Sequence, residues 1–127
     1  MSDKIRIGKA AEELVASYLL RHGYKIVDKN VYYREGELDI VAQKQGIYCF
    51  VEVKARRGCK DVRPEEAMTH TKQKHWYLAI EHYLYDNAHI VVWRADLALL
   101  CWRGGNDKAQ LVYAQNFEFD EQVIASL

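Results

Sequence analysis

The 127-residue chain has few of the features on which small secreted or metal-stapled domains depend. Its three cysteines, Cys49, Cys59 and Cys101, are widely spaced and odd in number, which argues against a disulfide framework and a zinc site and predicts reduced thiols. The charged N-terminus lacks the apolar run of about 7–15 residues that marks a signal peptide. No stretch reaches the roughly 18 apolar residues of a membrane span. We therefore expect a soluble, cytoplasmic protein that does not contact a membrane.

Net charge is also lacking, because 18 Lys and Arg offset 18 Asp and Glu. The weak overall field argues against non-specific DNA binding of the histone kind, so any site for a polyanion must come from local clustering. Half of the residues are hydrophobic and 28% are charged, which is typical of a folded domain. The length predicts one domain spanning residues 1–127.

Hydrophobic periodicity predicts an α/β fold in which helices flank a central mixed β-sheet. A polar turn with glycine at its end separates two of the strands and predicts a hairpin. The C-terminal residues, 117–127, are expected to be either a covering segment or a frayed end. The predicted elements, in chain order, are a helix at 5–22, strands at 24–27, 37–42 and 47–55, a short helix begun by Pro64, a helix at 69–85, a strand region at 89–101, a turn at 104–107 and a strand at 110–113.

The first helix carries two adjacent glutamates with different surroundings. At 100° per residue, Glu12 projects beside Val15 and Leu19 at the margin of the apolar stripe, whereas Glu13 points to solvent. We therefore expect Glu12 to be held against whatever the helix packs on.

Acidic and basic side chains alternate with apolar ones along the two hairpin strands. Glu37 and Asp39 share one face of the first strand, and Glu52 and Lys54 share one face of the second. If the strands pair through their short turn, Asp39 and Glu52 come within reach of one ion.

The opposite faces of these strands are apolar. Alternation places Leu38 with Ile40 on one strand and Val51 with Val53 on the other, in positions suited to packing under a helix. We therefore expect the acidic groups to lie in a largely hydrophobic setting.

Carboxylates in such a setting need a counter-charge, because burying each one unpaired costs several kcal/mol. The candidates are Lys54 and a divalent metal. Mg²⁺ binds one or two carboxylates together with waters and phosphate oxygens, and it would polarise a phosphodiester and lower the pKa of a water. Lys54 could orient that water or offset charge on the phosphorane, and Glu12 could complete the ion's shell directly or through water.

A plainer interpretation remains open at this point. A Glu-x-Lys pair on an exposed strand is usually solvated and contributes under about 1 kcal/mol. The chain could then be a structural protein in which Lys54 simply neutralises Glu52.

Two segments resemble the paired signatures of a known family. Gly36-Glu37-Leu38-Asp39-Ile40-Val41 and Phe50-Val51-Glu52-Val53-Lys54-Ala55-Arg56 look like those of the uncharacterised bacterial YraN-type family. That family is assigned to the PD-(D/E)xK nuclease superfamily, which includes archaeal Holliday-junction resolvases and many restriction enzymes. The likeness covers residues 8–100 or so, including Gly8-Lys9-Ala10-Ala11-Glu12 in the first helix.

The resemblance implies a restriction-endonuclease-like core and assigns roles to individual residues. Asp39 and Glu52 would be metal ligands, Lys54 the catalytic lysine, and Glu12 the helix-borne acidic residue of resolvase-like members. Glu37 and Lys72 would be accessory residues.

A basic stretch follows the second hairpin strand and predicts contact with phosphates. Residues 54–63 hold five basic side chains and one acidic, for a local charge of +4. Such a stretch gives salt-sensitive binding that is independent of sequence, although a solvated loop is the plain alternative. The residues predicted to bind nucleic acid are Arg56, Arg57, Lys60, Arg63 and Lys74.

Together these observations predict a Mg²⁺- or Mn²⁺-dependent hydrolase of DNA phosphodiesters, a structure-directed nuclease of repair, recombination or DNA processing, with water as the nucleophile. The alternatives are a non-catalytic nucleic-acid-binding or recruiting subunit of a helicase or recombination complex, and RNA or tRNA as the substrate. The small size makes a homodimer or a larger protein partner plausible.

Overall fold

The computed structural model describes residues 3–58, 63, 67–102 and 109–127. Lys60, Pro64 and the turn predicted at 104–107 lie outside these residues. In the described part, no helix combines the length and the apolar character needed to cross a membrane. The elements are α1 (Asp3–Arg21), β1 (Lys25–Tyr32), β2 (Glu37–Lys44), β3 (Ile47–Arg57), α2 (His70–Asp86), β4 (Val92–Trp102), β5 (Ala109–Ala114) and α3 (Glu121–Ala125).

The strands form one mixed five-stranded sheet in the order β1-β2-β3-β4-β5. Neighbouring strands are antiparallel except for β3 and β4, which run parallel and are separated in the chain by α2. A parallel pair needs such a crossover, and a helix commonly supplies it. The predicted fold class, a mixed sheet flanked by helices, is confirmed.

The predicted hairpin is β2 and β3. A two-residue turn, Gln45-Gly46, joins them with φ values of +52° and +78°, and Lys44 pairs with Ile47 beside it. A turn with two positive φ values matches the right-handed twist of the flanking strands, and glycine adopts this conformation without strain. β2 extends two residues beyond its predicted end, because its pairing with β3 continues up to this tight turn. β3 also extends two residues, at the end far from the turn, where Arg56 and Arg57 pair with β4.

The two long helices, α1 and α2, cover opposite faces of the sheet. Helix α1 buries Ala11, Val15 and Leu19 against one face, which confirms these members of the predicted apolar stripe. Leu14, which helical spacing places on the same side, is exposed instead. Helix α2 buries Trp76 and Ile80 against the other face. The site described below lies where residues from both faces meet.

One strand does not alternate as expected. Leu38 packs in the cluster under α2, whereas Ile40 packs in the cluster under α1, so the prediction that they share a face is wrong. Regular pairing of β2 with β3 ends at Ile40↔Val51. On the other side of β2, Asn30 of β1 has a φ of +52° and lies between the residues that pair with Ile40 and Leu38. These irregularities on both sides break the two-residue period at Asp39.

The C-terminal segment covers the α2 side of the molecule rather than fraying. The rings of Phe117 and Phe119 lie 5.4 and 5.1 Å from that of Trp76, and the Phe117 amide donates to the Ala95 carbonyl at 2.7 Å. This confirms the first of the two expectations for residues 117–127.

The cysteines differ in their chemistry. Cys49 is a free thiol buried in the core, and its burial raises the pKa to about 11. Cys101 is disulfide-bonded. The prediction of reduced thiols is therefore confirmed for Cys49 and wrong for Cys101, because cysteine spacing along the chain does not report distance in space.

Candidate active site at the fork of β2 and β3

A pocket opens where β2 and β3 stop pairing, beside the N-terminal half of α1. Its volume is about 210 Å³, enough for an ion and several waters. The structure brings together in this pocket five residues singled out from the sequence, which come from one helix and two strands. The lining residues are Gly8, Ala11, Glu12, Glu37, Asp39, Glu52, Val53, Lys54 and Ala55.

Asp39 is held in place by the backbone of the neighbouring strand. Its side chain is 7% exposed, and Oδ2 accepts a hydrogen bond of 2.8 Å from the Val53 amide. This bond links the two strands just beyond Ile40↔Val51, the last pair of their regular ladder. The break in alternation therefore directs the Asp39 carboxylate toward β3, at the point where the two strands separate.

Glu52 is the most electrostatically strained group of the site. Burial, the nearby charge of Asp39 and a hydrogen bond between these two side chains raise the pKa of Glu52 well above its usual value. Lys54 Nζ lies 4.0 Å from Glu52 Oε1 and favours the charged form, but it does not reverse this shift. A hydrogen bond between two carboxyl groups requires a shared proton, and a cation that binds both groups removes that need.

Glu12 and Glu37 flank this pair. Burial raises the pKa of each carboxyl, and the charge of Asp39 raises both further. With its side-chain nitrogen turned toward Glu12, Asn30 donates to that carboxylate at 3.1 Å. Asn30 reaches Glu12 from the irregular position on β1, a contact that strand alternation does not predict.

Lys72 lies on the first turn of α2, close to Lys54. The helix starts at the capping residue Thr69, whose side chain accepts from the Lys72 amide at 3.2 Å. The positive charge of Lys54 is the main cause that lowers the pKa of Lys72. The carboxylates are thus bordered by two ammonium groups, an arrangement suited to a phosphate.

The absence of a side chain at Gly36 sets how closely α2 approaches the start of β2. A Cβ atom at Gly36 would lie 2.6 Å from the His75 carbonyl oxygen, which is shorter than van der Waals contact. A larger residue would push α2 away and alter the position of Lys72 relative to Glu37.

The donors in the pocket fit a hard divalent cation. They are carboxylate oxygens, and Mg²⁺ uses one or two of these together with waters and substrate oxygens. Within residues 3–58, 63, 67–102 and 109–127, no three Asp, Glu, His or Cys side chains form a ready-made metal cluster. The donor set therefore suits an ion that keeps much of its water, with Asp39 and Glu52 as its first ligands.

Comparison with known proteins identifies the family. The model of the uncharacterised protein family UPF0102 matches residues 11–100, more than half of the chain. The chain belongs to the UPF0102 family. The resemblance to the YraN-type family, another name for UPF0102, is confirmed, and the fold is consistent with the PD-(D/E)xK superfamily.

Several bacterial proteins that are similar to this chain carry the same family name. A UPF0102 protein of Chlorobium phaeobacteroides is 43% identical over 84 residues, or 66% of each chain. One of Symbiobacterium thermophilum is 46% identical over 69 residues, or 54% of this chain and 58% of that one. One of Syntrophotalea carbinolica is 43% identical over 82 residues, which cover 60% of this chain and 67% of that one. The chain thus spans 58–67% of the length of these relatives.

The basic residues predicted to bind nucleic acid are not all in one place in this UPF0102 protein. Arg56 and Arg57 line a second cleft, which shares a wall with the acidic pocket. Arg63 and Lys74 are exposed and line neither cavity, and Lys60 lies outside the described residues. That these residues contact phosphates stays a prediction.

Proposed function

We propose that this UPF0102 protein is a Mg²⁺- or Mn²⁺-dependent nuclease that hydrolyses phosphodiester bonds of DNA in repair, recombination or DNA processing. The main support is the meeting of Asp39 and Glu52 at the strand fork, with Lys54 Nζ 4.0 Å from Glu52. Buried carboxyl groups that must share a proton form a site that a cation would stabilise.

Asp39 and Glu52 would hold the ion, and Glu12 would complete its shell directly or through water. Bound there, a divalent cation would polarise the scissile phosphate and lower the pKa of a water. Asp39 is kept in position by the Val53 amide, so its binding geometry requires little rearrangement.

Lys54 would act on the reacting groups. Its ammonium lies beside Glu52 at the pocket wall, where it could orient the attacking water or offset negative charge on the phosphorane. Water is the nucleophile, so no covalent bond to the protein forms. The water oxygen would form a new bond to phosphorus and lose a proton, while the P–O bond to the leaving strand breaks and that oxygen takes up a proton.

Purified protein should cleave DNA in the presence of Mn²⁺ when it is tested with nicked, flapped, junction and blunt duplex DNA and with RNA. Glu52→Gln and Asp39→Asn should each reduce the rate by roughly 10²–10⁴-fold, whereas Glu13→Gln on the exposed side of α1 should leave it unchanged. Equal trace cleavage by wild type and Glu52→Gln would identify a contaminant and contradict the proposal.

A non-catalytic binding or recruiting subunit is the second candidate, and the lack of a ready-made three-ligand cluster in the described residues favours it. Mn²⁺ titration followed by electron paramagnetic resonance separates the two. A nuclease should bind the ion with an affinity that Glu52→Gln weakens, whereas a binding module should show no such dependence.

Assembly as a homodimer or with a helicase or recombination protein stays a prediction, to be checked by light scattering.

A further inference from the structure

A second, larger cleft adjoins the acidic pocket. Its volume is about 560 Å³, within the range of roughly 300–1,000 Å³ that small-ligand sites occupy. Four residues, Gly8, Val53, Lys54 and Ala55, line both cavities, so the two adjoin. The larger cleft is completed by Ile7, Arg56, Arg57 and Trp102.

The charges around this cleft are opposite to those of the acidic pocket. Its described lining residues include the cations Lys54, Arg56 and Arg57 and no carboxylate, and the rest of the wall is apolar or aromatic. A cationic and partly apolar cavity suits a ligand that carries both a phosphate and a flat ring.

Trp102 supplies an aromatic surface at the far wall. It is the last residue of β4, is half-buried and pairs with Arg57 in the parallel register of β3 and β4. An aromatic side chain beside an arginine is the usual means by which proteins hold an unstacked base and its phosphate.

Gly8 lines both cavities from the side of helix α1. It lies inside helix α1, where glycine costs about 0.5–1 kcal/mol relative to alanine. A Cβ atom there would meet nothing within 4 Å, so packing does not demand the glycine. Its effect is to leave the helix surface bare where a strand of substrate would pass.

We propose that the cleft receives one unstacked nucleobase, which stacks against Trp102 while Arg57 contacts the adjoining phosphate. This inference rests on the proposed function and narrows its substrate to DNA with a single-stranded segment beside the scissile phosphate, such as a flap or an overhang. A base within an uninterrupted duplex is paired and stacked, and it would have to flip out to enter.

Binding of fluorescein-labelled oligothymidylate, measured by anisotropy in EDTA, tests the inference without any cleavage. Trp102→Ala should weaken binding roughly 5- to 150-fold, the range for loss of one base–aromatic stack, and Trp102→Phe should retain most of the affinity. Trp93→Ala, which removes a half-buried tryptophan from the α2 side of the sheet, should leave affinity unchanged. Wild-type affinity for Trp102→Ala, or equally tight binding of uninterrupted duplex, overturns the inference.

A second variant tests the same cleft from the helix side. Gly8→Leu places a side chain into the open space and replaces glycine by a good helix former, so it should weaken oligothymidylate binding without loss of thermal stability. Unchanged binding by this variant overturns the inference even if Trp102→Ala does not fold.

The two proposals fail in different ways. If Glu52-dependent cleavage occurs but the Trp102 and Gly8 variants bind as wild type does, the cleft inference fails alone. If oligothymidylate binding depends on Trp102 and Gly8 but no Glu52-dependent cleavage is found, the proposed nuclease activity fails, and the cleft's preference for single strands stands.

Discussion

The acidic pocket and the basic cleft share one wall but differ in what they do to the stability of the fold. In the pocket, burial and mutual repulsion raise the pKa of Glu12, Glu37 and Glu52, so the ionised site opposes folding. In the cleft, Arg56 and Arg57 are exposed, so their charges cost little. A bound cation would therefore stabilise the acidic pocket, whereas the cleft can bind an anion without a bound cation.

The largest effect on activity is expected for Lys54, which lines both the acidic pocket and the cleft. Lys54→Met should lower kcat for Mn²⁺-dependent DNA cleavage by roughly 10²–10⁴-fold, because the ammonium would no longer offset charge on the phosphorane. Steady-state kinetics and Mn²⁺ titration should show that the ion still binds, since the carboxylates remain. A variant with wild-type kcat would remove Lys54 from the chemistry and leave it a partner of Glu52.

Thermal denaturation of Glu52→Gln tests whether the pocket opposes folding. The pKa of Glu52 is raised well above its ordinary value of 4.5 in the folded state. Between pH 4.5 and the raised pKa, the folded chain therefore binds more protons than the unfolded chain, so the free energy of unfolding falls as pH rises through this range. Without bound metal, the variant should be more stable than wild type at pH 7, and this advantage should vanish below pH 4.5.

Added Mn²⁺ should stabilise wild type more than Glu52→Gln, because only the folded carboxylate pair binds the ion well. A variant less stable than wild type at pH 7 would contradict this prediction. It would favour instead the structural interpretation, in which Glu52 and Lys54 stabilise the fold as an ion pair.

A smaller effect is expected for Arg57→Ala in the cleft. The variant should bind oligothymidylate less tightly, and the slope of log affinity against log salt should decrease by about 0.7, the value for one phosphate contact with a single strand. Anisotropy titrations between low and moderate salt measure both quantities. An unchanged slope would show that Arg57 contacts no phosphate.

The smallest predicted effect is a gain in stability. Gly8→Ala should raise the free energy of unfolding by about 0.5–1 kcal/mol, because alanine favours the helix and its Cβ meets open space. Chemical denaturation measures the change. A loss of stability would mean that the helix surface at Gly8 is packed rather than bare, which would contradict the open space beside the cleft.

Strong local signals were enough to predict much of this arrangement. Apolar residues one helical turn apart predict how α1 packs, and a short glycine-containing turn between β-rich segments predicts the hairpin. Because those two elements bring Glu12, Asp39 and Glu52 together, the acidic half of the site could be predicted from the sequence. The opposite burial of Leu38 and Ile40 could not, because strand alternation assumes regular pairing.

The basic cleft was missed for a different reason. Trp102 lies 48 residues after Lys54 in the chain and carries no motif, and only the parallel pairing of β3 and β4 places it beside Arg57. The same holds for Asn30, whose contact with Glu12 depends on an irregularity of β1.

By itself, the sequence determined which residue types are present and the local periodicity that makes each segment a helix or a strand, because these depend on near neighbours in the chain. It therefore specified the carboxylates and the lysine and the face of α1 on which Glu12 lies. Only the tertiary structure decided where β2 leaves β3, how deeply Glu52 is buried and which aromatic ring stands next to the pocket. These depend on pairing and packing between distant segments, and the pKa of a buried carboxyl follows from them.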